Sequence, residues 1–403
     1  MNSSRKIQGG ITAPDGFMAC GVHSGIKKNK PDLALLVANP PANIAGVFTK
    51  NRIQGATVRL CRERLGEGKA CAVVINSGNA NACNGSRGMA DAARMAEVTA
   101  DSLDMEERFV FVCSTGTIGV PMPMEKVENG IRHAAGMVSP KNGSAAAEAI
   151  MTTDTVAKEY AVEISVQGVK VKVGGMAKGS GMISPDMATM LAFISTDAAV
   201  DLPDLQQCLT LAVEESFNRI TVDGDQSCND TVLLLANGKA GNPPLNRKQA
   251  DWELFAAAVR EVCRELAFKI VADGEGATKF VTVTVSGAVN TEDARRAARA
   301  VADSLLVKTS WYGCDPNWGR VIDAVGRSGA DVREELVDIS YDGIFAARNG
   351  CAAENVTRED LEKALRRERL SLDITLNLGE LCETLYTCDC SEEYVRINAE
   401  YTT

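Results

Sequence analysis

The sequence predicts a mixed α/β protein, and three observations support this prediction. Short apolar runs alternate with amphipathic helical stretches along the whole chain, as in layered α/β folds. The chain has 403 residues, of which 45% are apolar and 24% charged, a profile typical of a soluble globular protein of two or three domains. Because no internal repeat, low-complexity segment or flexible linker interrupts the pattern, we expect one continuous globule.

The first half of the chain alternates predicted strands with predicted helices. Apolar runs of four to eight residues indicate buried strands, and apolar residues three or four positions apart indicate helices. This reading gives strands at 32–38, 72–75 and 109–113, helices at 90–103, 125–135 and 145–151, and a hairpin of 160–166 and 169–173 that turns at Gln167-Gly168.

The second half continues the same alternation. An apolar strand follows Thr189, and a helix at 291–306 leads to an aromatic segment, Trp311-Tyr-Gly-Cys-Asp-Pro-Asn-Trp-Gly-Arg320. The other predicted elements are helices at 202–217, 252–271 and 358–367 and strands at 231–236, 279–285, 371–376, 385–387 and 394–398.

Charge and hydropathy exclude several functional classes. The formal net charge is −10 and the pI is about 5.0, and no basic cluster with interleaved aromatic residues suggests nucleic-acid binding. No apolar run approaches the roughly 18 residues of a membrane span, and the first residues lack the apolar stretch of a secretion signal. We therefore expect a cytoplasmic protein without nucleic-acid or membrane partners.

Cysteines and histidines indicate where chemistry is not expected. The 13 cysteines are dispersed, which favours reduced thiols over a disulfide framework. Cys382, Cys388 and Cys390 lack metal-ligand spacing, so no metal site is expected. Only His23 and His133 exist, and neither stands in a recognisable triad. The base for any acyl transfer should therefore come from another kind of group.

The segment Lys178–Asp197 holds the strongest chemical signal. Two glycines and a proline precede Ala188-Thr189, and Thr189 opens an apolar run. If the Ala188–Thr189 bond were cut, Thr189 would carry a hydroxyl beside an α-amine whose reference pKa is about 7.7–8.0, a usable general base. The pattern thus predicts self-cleavage and a threonine nucleophile. The ordinary alternative is a turn that leads into a strand.

Two further segments carry candidate binding groups. Thr115 and Gly116 lie where a strand ends in a glycine turn, so a hydroxyl and a backbone N–H could stabilise an oxyanion; the alternative is a plain turn. Glu275, in a glycine turn after a helix, suits a substrate ammonium, and Lys178 suits a carboxylate, although each alone is more often a solvated charge. Asn76–Cys83 is interpreted as a tight loop held by Asn side chains, with binding of a polar substrate as the alternative, and Thr221–Asp230 as a loop whose Asx side chains cap backbone groups.

Together these segments resemble the ornithine acetyltransferase family, also called glutamate N-acetyltransferase, of arginine biosynthesis. The resemblance covers nearly the whole chain. The segments that carry it are 10–17, 25–28, 47–51, 76–83, Ser114-Thr-Gly, Met151-Thr-Thr-Asp-Thr155, Lys178–Asp197, Asp223-Gly-Asp225, Asp273-Gly-Glu-Gly276, Asn317-Trp-Gly-Arg320 and Tyr394–Thr403.

The family implies a layered αββα-type sandwich with mixed sheets and a smaller C-terminal α/β part from about residue 290. It also implies cleavage between Ala188 and Thr189 into chains 1–188 and 189–403, assembled as an α2β2 heterotetramer. By resemblance, Thr189 is the nucleophile, and Thr115 and Gly116 are the oxyanion positions. The substrate-binding positions that it implies are Lys178, Thr189, Glu275, Asn398, Thr403 and one of Thr152 and Thr153, with Thr153 favoured.

The implied reaction moves acetyl from N2-acetyl-L-ornithine to L-glutamate through an acetyl ester of Thr189, with no metal or organic cofactor. Some family members also use acetyl-CoA as a co-substrate. Departures from the family pattern at Asn84, Gln226, Cys228 and the aromatic segment bear on acceptor preference. The alternatives are an N-terminal-Thr amidohydrolase or aminopeptidase, which passes the acyl group to water, and a binding protein, which would leave the Ala188–Thr189 bond intact.

Overall fold

The computed structural model describes residues 4–184 and 190–400. Within them the chain forms fifteen strands and eleven α-helices. The strands are β1 (Arg5–Ile7), β2 (Phe17–Val22), β3 (Leu33–Phe48), β4 (Lys69–Asn79), β5 (Val110–Thr117), β6 (Lys158–Val166), β7 (Val169–Lys178), β8 (Leu191–Thr196), β9 (Thr231–Ala236), β10 (Phe280–Ala288), β11 (Asp338–Tyr341), β12 (Ile344–Arg348), β13 (Cys351–Ala352), β14 (Arg369–Thr375) and β15 (Leu381–Cys388). The helices are α1 (Ala56–Leu65), α2 (Gly85–Leu103), α3 (Met124–Ala135), α4 (Gly143–Ala149), α5 (Leu202–Glu214), α6 (Trp252–Ala272), α7 (Thr291–Ala302), α8 (Leu305–Tyr312), α9 (Trp318–Gly326), α10 (Arg358–Leu365) and α11 (Glu392–Glu400).

The chain divides into two compact units. The first unit holds the chain up to Asn218 together with Gln226–Ile270, and the second holds Arg219–Asp225 and the chain from Val271 onward. These two units are defined by which residues contact one another in the folded chain, not by a break in the backbone. The predicted division into 1–188 and 189–403 is covalent, and its boundary lies outside the described residues.

The first unit is built on a nine-stranded mixed sheet. Its strand order is β1-β6-β7-β8-β9-β3-β4-β5, with β2 paired to β3. Two pairs, β4 with β5 and β8 with β9, are parallel. Along β3, Ala34 and Leu36 enter one hydrophobic core while Leu33 and Leu35 enter another. Because both faces of the sheet are buried, its central strands are continuous apolar runs.

The second unit has its own mixed sheet and core. The strand order is β13-β12-β11-β14-β10-β15, in which only β10 and β14 pair in parallel. Helix α7 packs on β10 and β15, placing Ala294, Ala298 and Val301 in the core. Trp311 and Tyr341 are fully buried in the same core. The predicted mixed α/β fold with mixed sheets is therefore confirmed.

Most predicted elements are present, but the C-terminal one is wrong. The strand predicted at 394–398 lies within helix α11. The run Tyr394-Val-Arg-Ile397 resembles a strand in composition, yet Val395 is 65% exposed, whereas Tyr394 and Ile397, three residues apart, are half-buried. Glu392 and Glu393 occupy the first turn, where the helix dipole favours negative charge.

One further prediction needs correction in the second unit. The single helix predicted at 291–306 is two helices, because α7 ends at Ala302 and α8 begins at Leu305. Asp303, at the break, accepts a hydrogen bond from the hydroxyl of Thr221. Within the aromatic segment, α8 continues through Tyr312 and α9 begins at Trp318, and the residues between them are turn and coil.

The cysteine side chains and the lengths of the helices complete the description of the fold. All thirteen cysteines lie in the described part of the chain and are free thiols. Across residues 4–184 and 190–400, no helix combines the length and the apolar content that crossing a bilayer requires.

Candidate active site

The predicted oxyanion residues lie near the end of one strand, beside a parallel neighbour. Thr115 and Gly116 belong to β5, which continues to Thr117, so the turn predicted at these residues is wrong, and Gly116 pairs with Gly78 of β4. Gly116 has a φ of +127°, and a Cβ built on it would stand 2.4 Å from the carbonyl carbon of Gly78. Glycine is therefore required here, because the backbone of β4 occupies the space that a side chain would need. The catalytic role of Thr115 and Gly116 stays a prediction.

Lys178 lies close to Thr115. It is the last residue of β7, is 4% exposed, and places Nζ 3.5 Å from the Thr115 hydroxyl. The alternative that Lys178 is an ordinary solvent-exposed charge is therefore wrong. The fold thus brings together one predicted oxyanion residue and the predicted carboxylate-binding cation.

A buried carboxylate organises the surroundings of Lys178. Asp154 Oδ1 accepts hydrogen bonds from Lys158 Nζ at 2.7 Å and from the backbone N–H of Gly179 at 2.7 Å. Asp154 Oδ2 accepts from the backbone N–H of Thr152 at 2.9 Å. Both side chains of the Lys158–Asp154 pair are fully buried. One carboxylate therefore fixes the residue after Lys178 and the predicted substrate-binding Thr152–Thr153 segment.

The charge of Asp154 follows from its neighbours. Burial favours the neutral acid, but Lys178, Lys158 and the Gly179 N–H bond together hold the pKa of Asp154 well below its usual range. It is therefore a carboxylate at any physiological pH. Sequence reasoning gave no role to Asp154 or Lys158. The only available signal was Asp154 within the motif Met151-Thr-Thr-Asp-Thr155, because burial of Lys158 depends on the tertiary fold.

Lys27 is a second cation that sequence reasoning did not select. Its Nζ donates a hydrogen bond to the carbonyl of Met151 at 2.7 Å, immediately before Thr152. Its stem passes over Gly78, where a Cβ would stand 2.9 Å from Lys27 Cγ. Burial lowers the pKa of Lys27 to about 8, helped by the charges of Lys30 and Lys178 and opposed by Asp32 and Asp154.

Asp230 is a buried acid beside the start of β8. Burial raises its pKa well above the ordinary value, while the Met190 N–H and the charge of Lys178 oppose that rise without cancelling it. It is 2% exposed, and its Oδ2 has no hydrogen-bond partner among residues 4–184 and 190–400. Asp230 thus lies against the backbone N–H of Met190, the residue before β8.

Three predicted residues lie outside the described part of the chain. They are Ala188 and Thr189, at the predicted cleavage bond, and Thr403, a predicted substrate contact. Among the described predictions, Thr152 and Thr153 are both half-buried, which does not decide between them.

The second unit places Glu275 and Asn398 in contact. Asn398 Nδ2 donates to Glu275 Oε2 at 2.6 Å, and Glu275 is 6% exposed, so it is not the solvated charge that its sequence context favoured. The first turn of α11 lies against Gly276, whose φ is +69° and on which a Cβ would stand 2.7 Å from Tyr394 N. Ser391 Oγ donates to the Gly276 carbonyl at 2.6 Å. Helix α11 thus holds Asn398 against the Asp273–Gly276 turn.

Polar side chains in two further segments bond to backbone groups, although Asn76–Asn79 belongs to β4 and not to the predicted loop. Asn76 Nδ2 donates to the Asn79 carbonyl at 2.8 Å, and Asp223 Oδ1 accepts from the Asp225 N–H at 3.2 Å. In the part of the chain that the structure describes, no three His, Cys, Asp or Glu side chains converge as metal ligands would.

Comparison with known proteins gives consistent matches. A sequence model of the ArgJ family matches residues 18–403. The arginine biosynthesis bifunctional protein ArgJ of Symbiobacterium thermophilum is 48% identical over 402 residues, covering 98% of this chain and 99% of that protein. A crystal structure of the arginine biosynthesis bifunctional protein ArgJ of Bacillus halodurans is 41% identical, with a TM-score of 0.51, and covers 53% of this chain and 100% of that chain. Ornithine acetyltransferase of Mycobacterium tuberculosis, solved with ornithine, is 40% identical, with a TM-score of 0.42, over 46% of this chain and 99% of that chain.

Proposed function

This chain belongs to the ArgJ family, and we propose that it transfers acetyl from N2-acetyl-L-ornithine to L-glutamate in arginine biosynthesis. The observation that carries the proposal is the close approach of Lys178 to Thr115, beside a Gly116 that no other residue can replace without strain. Acyl transfer needs such a combination of a substrate-orienting charge and fixed donors where the oxyanion forms.

We propose that the precursor cuts itself between Ala188 and Thr189. The length of the Bacillus halodurans relative supports this cleavage, since that chain is matched over its whole length yet covers 53% of this one. Residues 189–403 are the same fraction of this chain. The resulting chains, 1–188 and 189–403, are proposed to assemble as an α2β2 heterotetramer in the cytoplasm.

In the proposed reaction, the Thr189 hydroxyl oxygen attacks the acetyl carbonyl carbon of acetylornithine. The Thr189 α-amine takes the hydroxyl proton and passes it to the ornithine nitrogen as the carbon–nitrogen bond breaks. Thr115 and Gly116 stabilise the oxyanion of each tetrahedral intermediate. The glutamate amine then attacks the acetyl ester, and the proton transfers run in reverse.

The proposed substrate contacts follow the charges of the two amino acids. Lys178 binds the α-carboxylate that both substrates carry, and one of Thr152 and Thr153 adds a hydroxyl. Glu275, Asn398 and Thr403 are proposed as further contacts. The route calls for no metal or organic cofactor, and acetyl-CoA is proposed as an additional acetyl donor.

A direct test combines transfer kinetics with the processing variant Thr189→Ala. Wild-type protein should release ornithine from acetylornithine much faster with glutamate than without it. Thr189→Ala should stay a single chain on a denaturing gel and transfer nothing. Ornithine release that does not depend on glutamate would indicate the water-using amidohydrolase instead. Cleavage of Thr189→Ala at the same bond would rule out self-processing.

A further inference from the structure

The loop that carries Lys27 is held in place by hydrogen bonds, and these bonds fix the position of its side chain beside the candidate site. Asp32 is fully buried and accepts hydrogen bonds from the backbone N–H groups of Ser24, Gly25 and Lys27. These bonds fix the backbone on both sides of Ile26 and direct the Lys27 stem over Gly78. Gly78 in turn pairs with Gly116, so the stem lies one strand away from the predicted oxyanion position.

Lys27 retains hydrogen-bonding capacity after its one described contact. Nζ carries up to three donors, and among residues 4–184 and 190–400 its hydrogen-bond partner is the Met151 carbonyl. The residue is half-buried and not fully enclosed by the protein. A half-buried cation with spare donors next to a predicted substrate segment is suited to binding an anion.

The charged groups around Lys27 leave it available to such an anion. The groups that act on it are Asp32, Asp154, Lys30 and Lys178. Asp32 is occupied by the loop N–H groups, and Asp154 by Lys158, Gly179 and Thr152. The two nearby carboxylates therefore serve the protein itself, and a substrate carboxylate is the group left to complete the coordination of Lys27.

The two substrates of the proposed function differ in the end of the side chain. Glutamate carries a second carboxylate, whereas acetylornithine carries an ammonium. We infer that Lys27 is a specificity-determining residue that binds the side-chain carboxylate of the acceptor amino acid. The inference rests on the proposed function, in which Lys178 takes the α-carboxylate.

The lowered pKa of Lys27 lets one side chain serve both half-reactions. Near pH 8 the neutral and charged forms have similar populations. An acceptor carboxylate favours the charged form, and a donor ammonium is tolerated by the neutral form. As the pH rises through about 8, the ammonium is lost and binding of the acceptor should weaken.

The test measures KM for each substrate in the variant Lys27→Met. The control is Lys28→Met, because Lys28 is the exposed neighbouring lysine and its replacement gives the same change of charge. Lys27→Met should raise KM for glutamate about 10- to 100-fold, the effect of losing a hydrogen bond to a charged group, and leave KM for acetylornithine unchanged or lower. Lys28→Met should change neither. An equal rise in both KM values would show that Lys27 only supports the fold.

Lys27→Arg provides a second test that does not depend on how well the methionine variant folds. Arginine stays charged at all relevant pH values, so the rise in glutamate KM above pH 8 that we expect for wild type should be absent from Lys27→Arg. An identical rise in both proteins would overturn the inference. If wild type shows no acetyl transfer, the proposed function fails, and calorimetric binding of L-glutamate to wild type and Lys27→Met then decides the role of Lys27 by itself.

Discussion

Two buried carboxylates, Asp154 in the first unit and Glu275 in the second, are stabilised by different kinds of hydrogen-bond donor. In the first unit, the buried carboxylate of Asp154 accepts from Lys158, Gly179 and Thr152, and all of these donors belong to the protein framework. In the second unit, buried Glu275 meets the side chain of Asn398, an exposed residue of the last helix. The first arrangement fixes the backbone, whereas the second holds one side chain against a turn.

Because of this difference, mutations in the Asp154 cluster should mainly lower the free energy of unfolding, and mutations in the Glu275–Asn398 pair should mainly weaken ligand binding. Removing one member of a buried ion pair leaves the other charge desolvated, and the cost appears in the folded state itself. Removing an exposed hydrogen-bond donor allows water to replace it, so the cost appears mainly where a ligand needed that donor. The comparison can be tested by mutating each region and measuring unfolding and kinetics separately.

The largest effect should come from Asp154→Asn. The change would break the fully buried Asp154–Lys158 ion pair, and breaking such a pair costs about 3–5 kcal/mol of unfolding free energy. Because the pKa of Asp154 is lowered in the folded protein, this difference from wild type should be complete above about pH 4 and shrink as the pH falls toward that lowered pKa. Chemical denaturation at several pH values measures it.

The control for this prediction is the double variant Asp154→Asn/Lys158→Met. Removing the second charge together with the first should recover much of the lost stability, since a buried apolar side chain is tolerated where an uncompensated charge is not. Activity should stay low, because Gly179 and Thr152 still lack the carboxylate that fixes them. Full recovery of activity in the double variant would show that Asp154 serves only to neutralise Lys158.

An intermediate effect on rate, with little effect on folding, is expected for Thr115→Ala. Loss of one oxyanion donor costs about 2.7–4 kcal/mol of transition-state stabilisation. Thr115 is half-buried at a strand end, so its unfolding transition should change little. Thr115→Ser, which keeps the hydroxyl, is the matched control and should retain most of the rate. A correctly processed Thr115→Ala enzyme with the wild-type rate would remove Thr115 from the site.

The smallest effect should come from Asn398→Ala in the second unit. The variant loses the donor to Glu275 but stays folded, because Asn398 is exposed on α11. We expect KM for ornithine and glutamate substrates to rise several-fold, with self-cleavage and thermal stability unchanged. Deletion of Glu400–Thr403 should act in the same direction. Unchanged KM values in both variants would mean that this end of the chain has a structural role alone.

Local signals carried much of the prediction from sequence. The apolar runs of β4, β9 and the first part of β3 depend on near neighbours, and strands lie where the pattern predicted them, although β3 continues to Phe48 and β5 continues through the predicted glycine turn to Thr117. The burial of Lys178, the Lys158–Asp154 pair and the position of Lys27 depend on strands that are distant in sequence, and no local pattern encodes them. Helix α11 was missed because Tyr394-Val-Arg-Ile397 has strand-like composition while its buried residues are three positions apart.

The central claim, an acetyl ester on Thr189, is tested most directly by the mass of the denatured protein after incubation with N2-acetyl-L-ornithine alone. We predict two fragments, of which the one that begins at Thr189 gains the mass of a single acetyl group and loses it again when L-glutamate is added. A single uncut chain, or a Thr189 fragment that never carries the acetyl group while ornithine is released, would contradict the account.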